Sequence, residues 1–569
     1  MSEGAGSRGW LGTSAGFRRL FPCLLLVALT FAAFGNALRN GFVSFDDWLL
    51  VQENTRIRSL APRSILLMLR ERDPNSHAWL PLRELSYAVD YRLWGLDPAG
   101  YHLTNIALHA ANAVLAYALL VRVIGRPSLA ILGAAWFAVH PAQVESVTWV
   151  SGRRDVLYAF FYLLGLLAYV AHERRVGQAR WVPYGASVVL LLASLLSKAS
   201  AMTFPVVLLL WVWLLSDWET GSDLWRRLAW TAPHWLLAIV LTGVHTLVAQ
   251  RAGVVKGQAL ADSLSNVPLI FSEYLRLVLF PVHLATPHGD TALRWSEHGA
   301  RIACQAAAVV AVMAAAWWAA PRRSSGLFWL GWWFLLLLPV ANFIPLSVLV
   351  AERYLYLPLL GACGLGAEVV GRLAATGRWW RRALAAGCAL AVVGLLAGAT
   401  HHRNKVWENS LIFWQDGVSK WPSTPVMRIG LASAYADEND LERSWQQYMA
   451  VALSGGRAAS VDPEHLALVN AGLKNIYYRL ARQREAKGQR DAALEVYGSV
   501  IRLLPEKDTV VPRVRLAQAY ERMGMAARAR EQVLAVQKLE PDRAGLAEWL
   551  RRLEGREKGE GEGGKGLRE

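Results

Sequence analysis

Charge and cysteine are both scarce in this 569-residue chain: 18% of its residues are charged and four are cysteine. So little charge beside 54% hydrophobic residues excludes an ordinary soluble multidomain protein, and the mean hydropathy of +0.25 points to lipid. Cys23, Cys304, Cys363 and Cys388 all lie in apolar segments, with neither metal-ligand spacing nor a disulfide pattern, and read as small buried hydrophobes. A glycine-rich phosphate loop, a His-Glu-x-x-His zinc helix and a Ser-His-Asp pattern are all missing. The net charge of +16 raises nucleic acid as a partner, but much of the arginine stands in short loops between apolar runs. Membrane topology is the simpler cause, and no nucleic-acid partner is expected.

Long apolar runs are what the chain has in quantity. "LFPCLLLVALTFAAFG", "WVPYGASVVLLLASLLS" and "GLFWLGWWFLLLLPVANFIPL" approach the ~20 residues needed to cross a hydrocarbon core. Arg18 and Arg19 ahead of the first run resemble a signal peptide, but the further spans downstream favour a retained helix. Many of the 26 tryptophans, among them Trp136, Trp149, Trp181, Trp211 and Trp235, sit where apolar runs meet loops, as in an interfacial belt. Arg18/Arg19, Arg122/Arg126, Arg174/Arg175/Arg180, Arg226/Arg227, Arg322/Arg323 and Arg378/Arg381/Arg382 alternate so that all fall on one side, which is therefore cytoplasmic. The spans between them are approximately 17–38, 101–124, 128–141, 154–171, 181–197, 202–216, 227–249, 301–320, 326–345, 354–371 and 383–400, about eleven. An odd count places the C-terminal region outside. Within 250–300, Glu273, Arg276 and His283 interrupt the apolar pattern, which reads as an interfacial or re-entrant helix pair.

Beyond "HHRNKVWENS" the composition turns polar and a repeat of about 34 residues emerges. Leu516, Ala517, Tyr520, Gly524, Ala529 and Pro541 stand at tetratricopeptide offsets. Leu480, Ala481, Gly488, Ala493, Tyr497 and Pro505 form a second unit. Leu431, Ala432, Tyr435, Asn439, Ser444 and Tyr448 form a looser third. Small residues at these places let paired helices approach closely. The expected fold is all-α: a polytopic membrane domain over 1–400, a helical-repeat solenoid over 401–550, and a disordered tail over 551–569.

Ionisable residues other than the topology-setting arginines gather on the outer face. Asp46 and Asp47 come after the first span in "GFVSFDDWLLVQEN", where repulsion and poor solvation raise one carboxyl into the range suited to taking a proton from a hydroxyl; a solvated loop pair is the plainer reading. Arg83 and Glu84 precede a helix on which His102, Asn105 and His109 make one polar stripe, either a site or an interhelical contact. In "VHPAQVESVTWVSGRRDVL", His140, Glu145, Arg153, Arg154 and Asp155 lie close together, fitted to an anionic phosphate or to local salt bridges. Lys198 either snorkels to headgroups or meets a lipid phosphate, and Arg353 with Tyr354 puts a bidentate donor at another outer helix start.

Taken in order, "FDDWLL", "LPLRELSYAVDYRLWGLDPAGYHLTNIALHA", "HPAQVESVTWVSGRRDVL", "LLSKASAMTFP" and "ERYLYLPLLG" followed by the repeats resemble the transmembrane and tetratricopeptide-repeat O-mannosyltransferases and their bacterial relatives, of the GT-C class. The resemblance implies transfer of a sugar, mannose in that family, from a polyprenyl-phosphate donor to Ser/Thr of an exported protein. One of Asp46 and Asp47 would act as general base, and Arg153, Lys198 and Arg353 would hold the donor phosphate. It further implies a lipid-linked sugar as co-substrate with no cofactor or metal, an acceptor protein or glycan met in part by the repeats, and a multi-pass protein of the bacterial inner membrane with its repeats outside. A surface-polysaccharide ligase or polymerase and a non-catalytic membrane-anchored scaffold are the alternatives.

Overall fold

The computed structural model describes residues 9–76, 78–251, 266–286, 299–300, scattered positions between 303 and 314, and then 324–343, 348–375, 378–454 and 463–563. These are helical, with no strand among the described residues. Two compact units divide the chain, Met1–Lys420 and Trp421–Glu569.

In the first unit the helices are α1 (Gly9–Phe34), α2 (Pro62–Arg70), α3 (Pro81–Trp94), α4 (Pro98–Ile124), α5 (Pro127–Val139), the short α6 (Val144–Thr148), α7 (Arg153–Glu173), α8 (Trp181–Ser197), α9 (Phe204–Leu214), α10 (Gly221–Ala229) and α11 (Ala232–Arg251). They continue with α12 (Val267–Leu279), α13 (Ser325–Leu337), α14 (Pro358–Ala375), α15 (Trp379–Asn404) and α16 (Ser410–Lys420). Their limits are set by local chemistry. At the start of α4, Asp97 accepts from the Ala99 amide at 3.0 Å and Pro98 occupies a position that has no amide to satisfy. Gly125 ends the same helix at φ +71°, a conformation that a Cβ disfavours.

Among the described residues, seven helices are long and apolar enough to cross a membrane: Leu20–Arg39, Pro98–Ile124, Val150–Glu173, Gly177–Ser197, Gly221–Arg251, Pro358–Ala375 and Trp379–Trp407. Pro127–Val139, Ala199–Leu214 and Ser325–Val340 are apolar but shorter. Each expected span therefore has a helix at its place except 301–320, most of which lies outside the described residues, as do Arg322 and Arg323. In the interrupted segment, α12 is 13 residues long, well short of a span, and packs Ile270, Tyr274 and Leu277 into a core with Leu337, Val350 and Leu355. The second helix expected there falls outside the described residues.

The second unit consists of α17 (Pro425–Asp437), α18 (Leu441–Ser454), α19 (Pro463–Ala486), α20 (Arg490–Leu503), α21 (Val510–Arg522), α22 (Ala526–Leu539) and α23 (Leu546–Gly563). Asn439, Gly488 and Gly524, at φ +60°, +74° and +74°, make the tight turns inside three successive pairs. The repeat positions Ala432, Ala481, Ala517, Ala493 and Ala529 are all wholly buried, as close helix approach requires. Residues 551–563, expected to lack structure, extend α23, whose Leu553 is fully enclosed. The membrane-unit helices run to Lys420, past the division expected near 400.

Candidate functional site

Beyond α1 the chain turns through residues 40–47, tied down by a distant segment. Gly41 donates its amide to the Glu408 carbonyl at 2.8 Å, Ser44 to the Ser410 hydroxyl at 2.8 Å, and the Asn40 side chain to the Asn404 carbonyl at 3.0 Å. Phe45 packs on Trp149, Phe413 and Trp414 with ring centroids 5.1, 5.7 and 5.8 Å apart. The two aspartates consequently differ. Asp47 is 1% exposed and accepts from the Val43 amide at 3.0 Å and from the Ser151 amide and hydroxyl at 3.0 and 2.5 Å. Burial, which these bonds only partly offset, pushes its pKa from the ordinary 3.8 up to about 7, and Asp46 adds repulsion. Asp46 itself is half-buried.

Ser151 lies in the turn Val150–Gly152 that launches α7. A Cβ on Gly152 would come within 2.7 Å of the Glu145 and Ser146 carbonyl oxygens, so the turn closes only on glycine. Adjacent helical residues point about 100° apart, so Arg153 and Arg154 cannot share a direction. Arg153, expected to hold phosphate, turns into the bundle. Its guanidinium pairs with Asp90 at 2.6 Å, donates to the Tyr101 carbonyl at 3.0 Å, to Asn105 and to Ser86 at 3.4 Å, and lies over the Tyr87 ring. With 0% exposure it does not join the other candidates. Arg154 takes the open direction, its side chain 24% exposed, its Nε 3.7 Å from Asp155 and its guanidinium 5.9 Å from the Trp149 ring.

Arg353 reaches the same indole at 5.8 Å. Glu145, wholly buried, fixes it by accepting from its guanidinium and, at 2.7 Å, from its amide. Behind it Glu352 is also enclosed, 4.0 Å from Arg403, and burial raises its carboxyl to about 8. Asp155, in the first turn of α7, pairs with Lys198, whose ammonium stands 5.3 Å from the Tyr158 ring and 5.6 Å from that of Tyr354. Burial lowers the Lys198 pKa, and Arg154 and Arg353 are among the charges it feels. Arg353 covers Tyr354 from 5.2 Å. Trp149 is thus a common neighbour of the acidic loop and two arginines, and Tyr354 links one of them to Lys198.

On α3, Arg83 and Glu84 are each 2% exposed. Glu84 is 3.2 Å from Arg56, and burial raises it to about 7. Burial lowers Arg83, whose Nε and Nη2 make no hydrogen bond among the described residues and which feels Arg154 as a like charge. The polar stripe of α4 does interhelical work: Asn105 donates to the Trp149 carbonyl at 3.0 Å and holds Arg153, while His109 bridges Tyr356 at 2.7 Å and the Ala138 carbonyl at 3.0 Å. His102, 1% exposed, is enclosed along the same face. His140 is a capping group, accepting from the Ala142 amide at 3.2 Å with its other ring nitrogen 3.1 Å from the Val278 carbonyl.

Ser151, Trp149 and Gly152 carry no mark of a site in the sequence, and Arg154 none that sets it above Arg153. The "TWVSGRRD" string holds them all, yet only the packed turn assigns a direction to each. The aromatic buttress at Trp407, Phe413 and Trp414 carried no signal, lying some 370 residues from the loop that it supports.

An apolar cavity of about 430 Å³ opens between α12, α13 and α14, lined by Phe271, Leu275, Trp329, Trp333, Phe334 and Gly361 among others. A Cβ on Gly361 would meet the Trp329 carbonyl at 2.7 Å, so glycine lets α13 and α14 approach there. From α12, the Tyr274 hydroxyl accepts from the Ala351 amide at 3.4 Å, two residues before Arg353.

Protein O-mannosyl-transferase Tmtc2 of Drosophila melanogaster is 32% identical over 342 residues, covering 52% of this chain and 34% of that protein. Protein O-mannosyl-transferase TMTC3 of Mus musculus is 24% identical over 505 residues, 81% of this chain and 53% of its own. Protein O-mannosyl-transferase F38B6.6 of Caenorhabditis elegans is 23% identical over 459 residues, 76% and 63% respectively. The chain thus spans between about a third and two thirds of these relatives' lengths. No family model and no solved structure matches it.

Proposed function

We propose that this chain, a member of the TMTC family of protein O-mannosyl-transferases, uses its membrane unit to transfer a sugar, mannose by the relatives' name, from a polyprenyl-phosphate donor to Ser or Thr hydroxyls of exported protein. One observation carries this reading: the Asp46–Asp47 loop and the arginines Arg154 and Arg353 meet at Trp149. The arginine alternation of the loops supports an extracytoplasmic reaction in a multi-pass protein.

The donor's isoprenoid chain enters the apolar cavity beside α12, and its phosphate is met by Arg154, Lys198 and Arg353, with Arg83 behind them. The acceptor oxygen attacks the anomeric carbon on the face opposite the phosphate while Asp46 takes the hydroxyl proton. The bond from that carbon to the phosphate oxygen breaks, its electron pair leaves on the polyprenyl phosphate, and the cations stabilise the charge that develops there. Asp47 positions Asp46 by closing the loop onto Ser151. The chain's own cations supply the electrophilic assistance, so chelation by EDTA is expected to leave the rate unchanged.

Purified protein supplied with polyprenyl-phosphate mannose and a Ser/Thr peptide tests the assignment, with hexose on the peptide read by mass spectrometry. Asp46→Asn is expected to lower transfer by a factor on the order of 10²–10⁴ while the protein still folds and inserts. Undiminished transfer by that variant would remove Asp46 from the mechanism. Labelling of a cysteine placed at Trp48 by a membrane-impermeant reagent from the cytosolic side would overturn the sidedness.

A further inference from the structure

A second cluster of cations stands at the other end of α7 from Ser151. Twenty-one residues separate the ends, roughly 30 Å at 1.5 Å per residue, so this cluster borders the opposite leaflet. A small polar cavity there, about 80 Å³ and wide enough for several water-sized groups, is lined by Arg175, Arg180, Arg226, Arg227, Glu173 and Trp230 among others.

The charges do not cancel. Asp223 takes Arg226 at 2.6 Å and Arg227 at 3.0 Å. The Glu173 carboxylate is occupied by the Trp211 indole at 2.7 Å and the Ser216 hydroxyl at 2.8 and 2.9 Å, with Arg227 at 3.5 Å. Among the described residues neither Arg175 nor Arg180 has a carboxylate partner. Arg180 is nonetheless held in place: its guanidinium stands 5.0 Å from the Trp181 ring and 5.1 Å from the Trp230 ring, and its carbonyl is 3.0 Å from Nδ1 of the buried His172. An arginine that serves topology alone stays solvated and unconstrained. Holding a guanidinium against two adjoining indoles, whose ring centroids are 5.1 Å apart, while leaving its donors free of carboxylates among the described residues presents a preorganised fork to an anion.

We propose that this pocket binds a phosphate group, Arg175 and Arg180 supplying the hydrogen bonds, and that its source is the headgroup of an anionic phospholipid in the leaflet at that end. Basic pockets between helix ends suit that chemistry. The inference does not depend on the transferase reading.

Full-length protein in nanodiscs of phosphatidylcholine alone, or with added phosphatidylglycerol, tests it by native mass spectrometry of retained lipid and by thermal midpoint. Phosphatidylglycerol should be retained preferentially and raise the midpoint, and Arg180→Gln should weaken retention roughly tenfold, the loss of one charge-assisted contact. Arg175→Gln, at an exposed residue whose replacement leaves folding intact, should act in the same direction. Stabilisation of the phosphatidylcholine sample by inorganic phosphate, lost in both variants, would keep the pocket and assign it to a soluble phosphate instead. Equal retention and equal midpoints for wild type and both variants in every arm would overturn the proposal.

Discussion

The acidic-loop cluster and the repeats handle charge in opposite ways. Around the acidic loop, Arg153 with Asp90, Arg353 with Glu145 and Lys198 with Asp155 are pairs whose members are at most 13% exposed. In the repeats, Arg530 with Glu554 stands 37% and 48% exposed, and Arg522 with Glu485 stands 39% and 12%. A buried pair contributes little net stability relative to a hydrophobic pair, yet removing one member strands the other in low dielectric. The cluster around the acidic loop is therefore built for fixed geometry, whereas the repeats draw their stability from alanine-lined helix packing.

Three substitutions and a change of pH test whether burial separates the two kinds of ion pair. Glu145→Gln leaves the Arg353 guanidinium uncompensated and should destabilise the membrane unit by about 3–5 kcal/mol in a denaturant or thermal series; a loss comparable to that of a surface pair would end the comparison. The pH dependence comes next. Because burial raises Asp47 to about 7, the contribution of its neutral form is fully present below the ordinary value of 3.8 and disappears as pH rises through about 7. Docking of the acidic loop should weaken over that window by up to about 4 kcal/mol, visible as faster hydrogen exchange of Val43 and Ser151, and Asp47→Asn should flatten the profile. Gly152→Ala forces a methyl against two carbonyl oxygens and should cost about 1–3 kcal/mol, with transfer falling as the Ser151 bond to Asp47 is displaced. Arg530→Ala in the repeats should change stability by less than about 1 kcal/mol, read from the midpoint of the same unfolding series.

Much of the architecture was legible in the chain because apolar length and helical-repeat spacing are local properties. The helix at each described span and the turn residues Asn439, Gly488 and Gly524 arise from such signals. The extent of the last helix did not, since a glycine- and charge-rich composition hid the anchoring of Leu553. For the site, the acidic pair, Lys198, Arg353 and Tyr354 lie around Trp149 and the Tyr354 ring. Arg153 pairs with Asp90, His102 is enclosed on α4 and His140 caps a turn, and such residues carry the same letters whether they bind a ligand or a neighbouring helix.

An all-α membrane protein with a helical-repeat unit, and the short strings that carry charge between its apolar runs, can be read from the amino-acid order alone. Hydrophobic length and residue spacing act over a few turns of chain, so they survive without any knowledge of packing. Only the tertiary structure decided that Asp47 is closed off while Asp46 stays half-exposed, that Arg154 rather than Arg153 faces the cluster, and that segment 404–414 shapes the loop at residues 40–47. Those outcomes depend on which groups lose water together and on contacts between residues hundreds of positions apart.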